Sequence, residues 1–463
     1  MKKSLILLAG AVFMLTGALS LTSCGGEKDS TQTSSKSGIK VTISGASTME
    51  VGEQLTLIIN LENDSNRMGY SVTSSDETVA TVTNGGIVTA LKEGSVTITV
   101  TSREDETAKA THSITVNAST QPTLKINASA DTMKLGSTLT LSAEVTNANN
   151  ANILYEWSLK NGRGSFMGGT EGSSATYRPL TECSETIVLN AYVGQYRLKA
   201  EFKIFVDADI TGWTAISTKD ELLDLVYGVS SQTANYYLAN DIDMEGMYVE
   251  SGSKNEDATT FKGKLDGRGH AIKNYKIQGV SDGNAYNNGS LFHKLAKGAA
   301  LRNLVIEAEM DQMGSGWGSS ALVGTGVAGC IIDNCLINVN HSYNNGENSD
   351  SNGWFAFNAA VIGTGAAEIY DTVVNILDTV EGGKDTIYAD YGYPNRDTKI
   401  AKNFYTNATQ IGGQGWEWGD AVTDFNGYNP GVAFDLKTKD FYDLNEHAWN
   451  LVDNQMPTLK VLD

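Results

Sequence analysis

Apolar and polar residues alternate along the first quarter of the chain with the period of half-buried strands. The runs are Ile39, Val41 and Ile43, then Leu55, Leu57, Ile59 and Leu61, then Val96, Ile98 and Val100, and last Ile114 and Val116. Turn residues such as Asn84, Gly85 and Gly86 separate them, so residues 39–118 are expected to form an antiparallel β-sandwich. The stretch from Thr132 to Leu141 repeats this pattern, with Met133, Gly136, Leu139 and Leu141 matching Met49, Gly52, Leu55 and Leu57. A second sandwich is therefore expected over residues 121–207, with Trp157 in its core and Phe202, Ile204 and Val206 alternating along its last strand.

Past Trp213 the period changes. Leu222, Leu223, Leu225 and Val226 have helical spacing behind a capping box of Thr218 and Glu221, which predicts a short helix closing the open end of a third domain. That domain is built on a repeat. An aliphatic residue, an Asn or Asp two positions on, and an Ile or Val three further recur at Ile272, Asn274 and Ile277; Leu301, Asn303 and Ile306; Ile332, Asn334 and Ile337; and Ile369, Asp371 and Val374. Asn403 is a candidate fifth copy. A second apolar element precedes the later copies, at Leu291 and Phe292, at Leu322 and Val323, and at Val361 and Ile362. Segments this short cannot close a core alone and must stack on their neighbours. Residues 208–463 are therefore expected to form a parallel β-helix, right-handed by the crossover rule. The fold class is all-β: two Ig-like sandwiches followed by a solenoid with an N-terminal capping helix.

Composition agrees with many short strands and tight turns, because 463 residues include 48 glycines and only 8% aromatics. Residues 1–23 read as a signal peptide, with Lys2 and Lys3 before an apolar run from Leu5 to Leu21. Leu21 to Cys24 resembles the lipobox of bacterial lipoproteins, which implies cleavage before Cys24 and a lipid on its thiol. Residues 24–38 are polar and small enough to be a flexible tether. Glu27, Lys28 and Asp29 resemble the export signal of Bacteroides-type surface lipoproteins, which implies display on the outer-membrane surface.

Further resemblances attach to the domains. Val51-Gly52-Glu53, Ser74 to Glu77, Val79 to Val82, Gly86 to Ala90 and Gly94 to Val100 resemble the group 2 bacterial Ig-like domain, without its usual core tryptophan and with Tyr70 or Val72 available instead. The second sandwich resembles Ig-like or PKD-like spacer modules. Trp213, Tyr236 to Met244, Phe261 to Ile272, Gly289 to Phe292, and Trp449 with Met456, Pro457 and Leu459 resemble β-helix domains of bacterial surface proteins that carry GLUG-type repeats.

The net charge of −20 excludes nucleic acid and anionic headgroups as natural partners. Cys183 stands alone, and Cys330 and Cys335 have an odd separation that puts them on opposite faces of a continuous strand. These thiols are expected to be buried and unpaired.

Asp241, Asp243, Asp266, Arg268 and His270 hold the residue types that cleave polysaccharides. The alternative is a structural turn in which Gly267 and Gly269 supply positive φ. The recurring Asn274, Asn303, Asn334 and Asp371 are expected to stack as an amide ladder with Asp371 at a solvent-exposed end. Ligand chemistry concentrates in the loops, which carry Tyr286, Trp317, Tyr343, Trp354, Tyr391 and Tyr393, with Trp416 and Trp418 extending the row. Stacking lines these loops along one edge, where rings flanked by Asn, Asp and Gly suit a sugar. The other reading has the rings fold back over loop backbone. Asp282, Asn284, Asn344 and Asp350 are oxygen donors of the kind Ca²⁺ takes, without the spacing of a known calcium loop. No cofactor is expected, and the histidines lack zinc spacing.

The chain is therefore expected to be a lipid-anchored adhesin or glycan-binding protein and not an enzyme, its two Ig-like domains serving as spacers. Against an enzyme, no cluster of acids with a neighbouring Lys or Arg is evident on one strand face. The rivals are a polysaccharide lyase or glycoside hydrolase of β-helix type, and a structural surface protein that binds other proteins.

Overall fold

A computed structural model describes residues 38–249, 258–278, 289–312, 317–341, 357–378, 387–388, 400–408, 428–429 and 431–462. They divide between two compact units, one ending at Gln121 and the other beginning at Pro122. Among the described residues no helix is long and apolar enough to cross a membrane.

In the first unit the alternation read from sequence becomes a sandwich. Thr48–Glu50, Tyr70–Ser74, Gly94–Ser102 and Lys109–Asn117 form one sheet, and Gln54–Thr56, Ala80–Val82 and Ile87–Ala90 another. Lys40–Ser44 pairs with Ile58–Glu62. Every second residue of the long strands points inward, so Val96, Ile98, Val100, Ile114 and Val116 are buried together. Val72 joins this core and Tyr70 packs at its edge, which supplies the apolar volume of the absent tryptophan.

The second unit opens with another pair of four-stranded sheets. One contains Thr123–Ala128, Leu139–Thr146, Gly164–Met167 and Ser174–Pro179; the other contains Thr132–Lys134, Ile153–Leu159, Cys183–Val193 and Tyr196–Asp207. Trp157 lies buried between them, and its indole N–H donates to Gly172 O at 2.8 Å.

A β-solenoid comes next. Thr218 caps the helix Lys219–Val226 with both arms of the capping box in place, and Leu222, Leu225 and Val226 enter the solenoid core. One parallel sheet stacks Lys264–Asp266, Ala300–Arg302, Ile331–Asp333 and Glu368–Tyr370. A second, the face sheet, stacks Ile242–Tyr248, Ala271–Gln278, Val305–Gln312, Leu336–His341 and Val373–Asp378. A third stacks Phe292–Leu295, Val323–Gly326 and Ile362–Gly365.

The register corrects the first copy of the repeat. Leu301 pairs with Leu265, whereas Ile272 pairs with Ile306, so Ile272 and Asn274 belong to the face sheet and not to the Asn column. Asn274 gave the same local pattern because it also takes a left-handed backbone, at φ 58°, where the strand register shifts. Asn303, Asn334, Asp371 and Asn403 do form a column, each at a left-handed corner between the first sheet and the face sheet. Asn334 Nδ2 donates to Asn303 Oδ1 at 2.6 Å, Asn303 Nδ2 to Asp266 Oδ1 at 2.8 Å, and Asn403 Nδ2 to Asp371 Oδ1 at 2.9 Å. The expected exposed end is absent, because Asp371 is 1% exposed. The corner at Asn334 also turns Cys330 and Cys335 inward together instead of to opposite faces, and both are buried with free thiols.

At the Asp266 to His270 turn, the left-handed residues are Arg268 and Gly269; Gly267 is not among them. Gly267 is needed for closeness, since a Cβ there would sit 2.5 Å from Asn303 O. A Cβ on Gly269 would meet Lys460 O at 1.9 Å.

The second sandwich is not a free spacer. Arg163 Nη2 meets Asp333 Oδ2 at 2.7 Å and its guanidinium lies 4.2 Å over the Tyr370 ring. Glu182 takes Lys264 at 2.7 Å and Arg302 on its other oxygen, and Arg268 reaches Asp207 at 2.7 Å. Phe205, on the outer side of the last sandwich strand, is buried among Leu336, Val373, Tyr405, Phe434 and Trp449. Residues 431–462 thus bridge sandwich and solenoid. Trp449 Nε1 donates to Asn334 Oδ1, and Leu462 N to Arg268 O.

Candidate functional site

The face sheet sorts its side chains by strand alternation. Ile272, Ile306, Ile337 and Val374 stack inward, as do Tyr275 and Val339. Facing outward, the register produces two columns across the strands. One runs Asp243, Lys273, Glu307, Asn338 and Asn375; the other runs Tyr248, Lys276, Glu309, Asn340 and Leu377. Between them lies an open groove of about 570 Å³, with Glu245, Lys276, Glu307, Glu309, Asn338 and Asn340 on its walls.

Lys276 Nζ contacts Glu309 Oε2 at 3.1 Å and lies 5.8 Å from the centre of the Tyr248 ring. Tyr248 is 39% exposed and stands beside Lys276 in the same column. Asn375 Nδ2 donates to Asn338 Oδ1 at 3.3 Å and Asn407 Nδ2 to Asn375 Oδ1 at 3.1 Å, so an outer amide ladder continues the first column. Asn274 holds both oxygens of Asp243 at 3.0 Å. The Asp243 carboxyl is held below its usual range by the Glu245 backbone N–H first and by Asn274 second. Asn340 Oδ1 is shielded from water and has no hydrogen-bond partner among the described residues.

The face strands end at Gln278, Gln312, His341 and Asp378, with Gln278 paired to Gln312 and His341 to Asp378, and the third sheet begins at the aligned Phe292, Val323 and Ile362. Trp317 opens the strand Trp317–Ser320, opposite Phe357. Tyr286, Tyr343, Trp354, Tyr391, Tyr393, Trp416 and Trp418 lie outside the described residues, as do Cys24 and the oxygen donors Asp282, Asn284, Asn344 and Asp350. Among the described residues no group of three His, Cys, Asp or Glu side chains could hold a metal.

The residues that suggested cleavage are divided by the fold. Asp266 and Arg268 are buried at the corner, where Asp266 Oδ1 accepts from Arg268 N and Asn303 Nδ2. His270 Nδ1 meets Asp241 Oδ1 at 3.2 Å nearby. Sequence reasoning passed over Glu307, Glu309 and Lys276, although their alternation with Ile306, Ala308 and Met310, and with Tyr275 and Ile277, marks them as outward residues. What brings them together is a pairing of strands about thirty residues apart, which no local pattern displays.

The family model of the bacterial Ig-like domain (group 2) matches residues 29–114. No curated protein matches the chain. Among solved structures, domains 4 and 5 of the S-layer protein SbsC align over 38% of this chain and 99% of theirs, at 16% identity and a TM-score of 0.16. A SusE-like surface-located polysaccharide-binding protein from the heparin utilisation locus of Bacteroides thetaiotaomicron aligns over 38% of this chain and 37% of its own, at 9% identity and a TM-score of 0.26. The fibronectin(III)-like modules of Clostridium thermocellum CbhA align over 36% and 94%, at 15% identity and a TM-score of 0.16. The chain is an all-β protein in which a group 2 bacterial Ig-like domain precedes a β-solenoid.

Proposed function

We propose that this is a cell-surface glycan-binding protein, lipid-anchored at Cys24 and related to the GLUG-type surface proteins, whose ligand lies on the outer face of the solenoid. The observation that carries the reading is the groove between the two outward columns. Amides and carboxylates there can bond sugar hydroxyls, and the Tyr248 ring offers an apolar face to a pyranose. A glycan array probed with the full chain is expected to give hits that weaken at least fivefold when Asn338→Ala and Asn340→Ala are combined. Hits that are indifferent to this pair sink the assignment.

Glu307 and Glu309 also favour a second reading, a glycoside hydrolase, because two carboxylates on one outward face are the minimum that hydrolysis requires. Release of reducing ends from a bound glycan, lost in Glu309→Gln, distinguishes that reading from simple capture.

A further inference from the structure

The groove's walls have a charge and a direction that restrict what it can hold. Three carboxylates, Glu245, Glu307 and Glu309, line the groove, where Lys276 is engaged by Glu309 and Glu245 by Lys219. The remaining polar walls are the neutral amides of Asn274, Asn338 and Asn340. In the adjoining column Asp243 adds another carboxylate and Lys273 a cation that Asp241 engages at 3.5 Å. A polyanion entering here would lose water from its own charges without meeting a free cation. Like charges brought together in this way are strongly discriminated against. The whole chain's charge of −20 adds a repulsive field at longer range.

Direction comes from the stacking. The groove's lining steps from Glu245 through Asn274 and Lys276, Glu307 and Glu309, and Asn338 and Asn340 to Leu377, one strand at a time. Four steps between parallel neighbours span about 19 Å at roughly 4.8 Å each. A pyranose ring in an extended chain advances by a similar length, so a linear glycan laid across the strands would meet a new polar pair at each sugar. A small compact ligand would leave most of these walls unused. An extended peptide lying along one strand direction would cross the columns instead of following them.

Resting on the glycan-binding reading above, we infer that the groove takes a linear glycan of uncharged or amino-bearing sugars, aligned with the stacking direction, and rejects uronate and sulfated chains. Lys276 and Glu309 would exchange part of their mutual contact for hydroxyls. An amino sugar gains more, because its ammonium meets Glu307.

The test is calorimetric titration of the full chain with cello-oligosaccharides, partly deacetylated chito-oligosaccharides and oligogalacturonates of matched length. The expected order is amino-bearing, then neutral, then uronate, with at least tenfold between the last two. Raising salt should strengthen any residual uronate binding and weaken binding of the amino-bearing oligomer, because screening removes repulsion and attraction alike. In the combined Glu307→Gln and Glu309→Gln variant, the ratio of uronate to neutral affinity should rise at least tenfold. Uronates binding as tightly as neutral oligomers overturns the charge inference and leaves the glycan reading standing. Binding of no oligomer, with tight capture of an extended peptide instead, overturns both. If the double variant fails to fold, the salt series on the unaltered chain still decides the sign.

Discussion

Asp371 shows how one position of a ladder can cost stability. It occupies a left-handed corner with Asn403 donating to Oδ1, while Oδ2 is buried with no partner among the described residues. Burial raises its carboxyl well above the usual range, and the neighbouring Asp333 adds to the shift. A carboxyl whose folded value is raised binds more protons in the native state. Its contribution is therefore best at pH below about 3.9, the unfolded value, and is lost as pH rises toward the folded one. Asn is the same shape and tolerates the same corner. Asp371→Asn should stabilise the chain by about 1 kcal/mol at neutral pH and by much less near pH 4, read from denaturant midpoints at the two pH values. An equal effect at both would remove titration from the explanation. The residue types of this column were visible in the sequence, and so was their stacking, but burial of the Asp371 end was not. It depends on residues 431–462, which fold back over the corner and share no pattern with the repeat.

At the scale of elements, the alternation and the repeat read directly into strands, because a residue facing a core must be apolar whichever partner strand it finds. The short helix was equally legible. Its capping box satisfies orphan N–H groups whatever the helix covers, with Ser217 and Thr218 N–H donating to Glu221 and Glu221 N to Thr218. Thr218→Ala should cost about 1 kcal/mol, observed as a lower thermal midpoint, with Thr218→Ser close to the original. A cost no different from that of an exposed substitution elsewhere would mean that the cap does not hold the helix. The outward columns of the face sheet were hidden, since Glu307 becomes a neighbour of Lys273 only through the pairing of strands. The mistaken register at Asn274 has the same cause: two different corners chose the same residue type for the same backbone angle.

Within the second unit, the sandwich and the solenoid are joined by buried charge as well as by Phe205. Burial alone would raise the Glu182 carboxyl, yet Arg302 and then Lys264 hold it at about 2. A depressed carboxyl contributes stability above its unfolded value, and that contribution is lost as pH falls through the folded one. This contact should therefore persist at mild acidity and weaken as pH drops from about 4.3 toward 2. Glu182→Ala leaves the buried Arg302 and the half-buried Lys264 without this carboxylate, so a loss of about 3 kcal/mol in unfolding free energy is expected. The sandwich and solenoid of this unit should also unfold in one calorimetric transition; two transitions separated by the substitution alone would show the seam to be weaker than its geometry. Charges in this seam leave no signal in the sequence, because nothing local announces that Arg163 and Asp333 will meet.

The bridge made by residues 431–462 also sets an order of assembly. Phe205 and Arg268 precede it in the chain by more than 160 residues, and both wait for it: Phe205 for Phe434 and Trp449, Arg268 for the Leu462 N–H. A ribosome finishes the sandwich strands long before it makes their cover. Until that stretch leaves the tunnel, the flank of the sandwich stays greasy and the corner of the solenoid stays wet. The last segment accordingly completes this unit, and a chain truncated before Val432 should be more protease-sensitive at its second sandwich than the full chain.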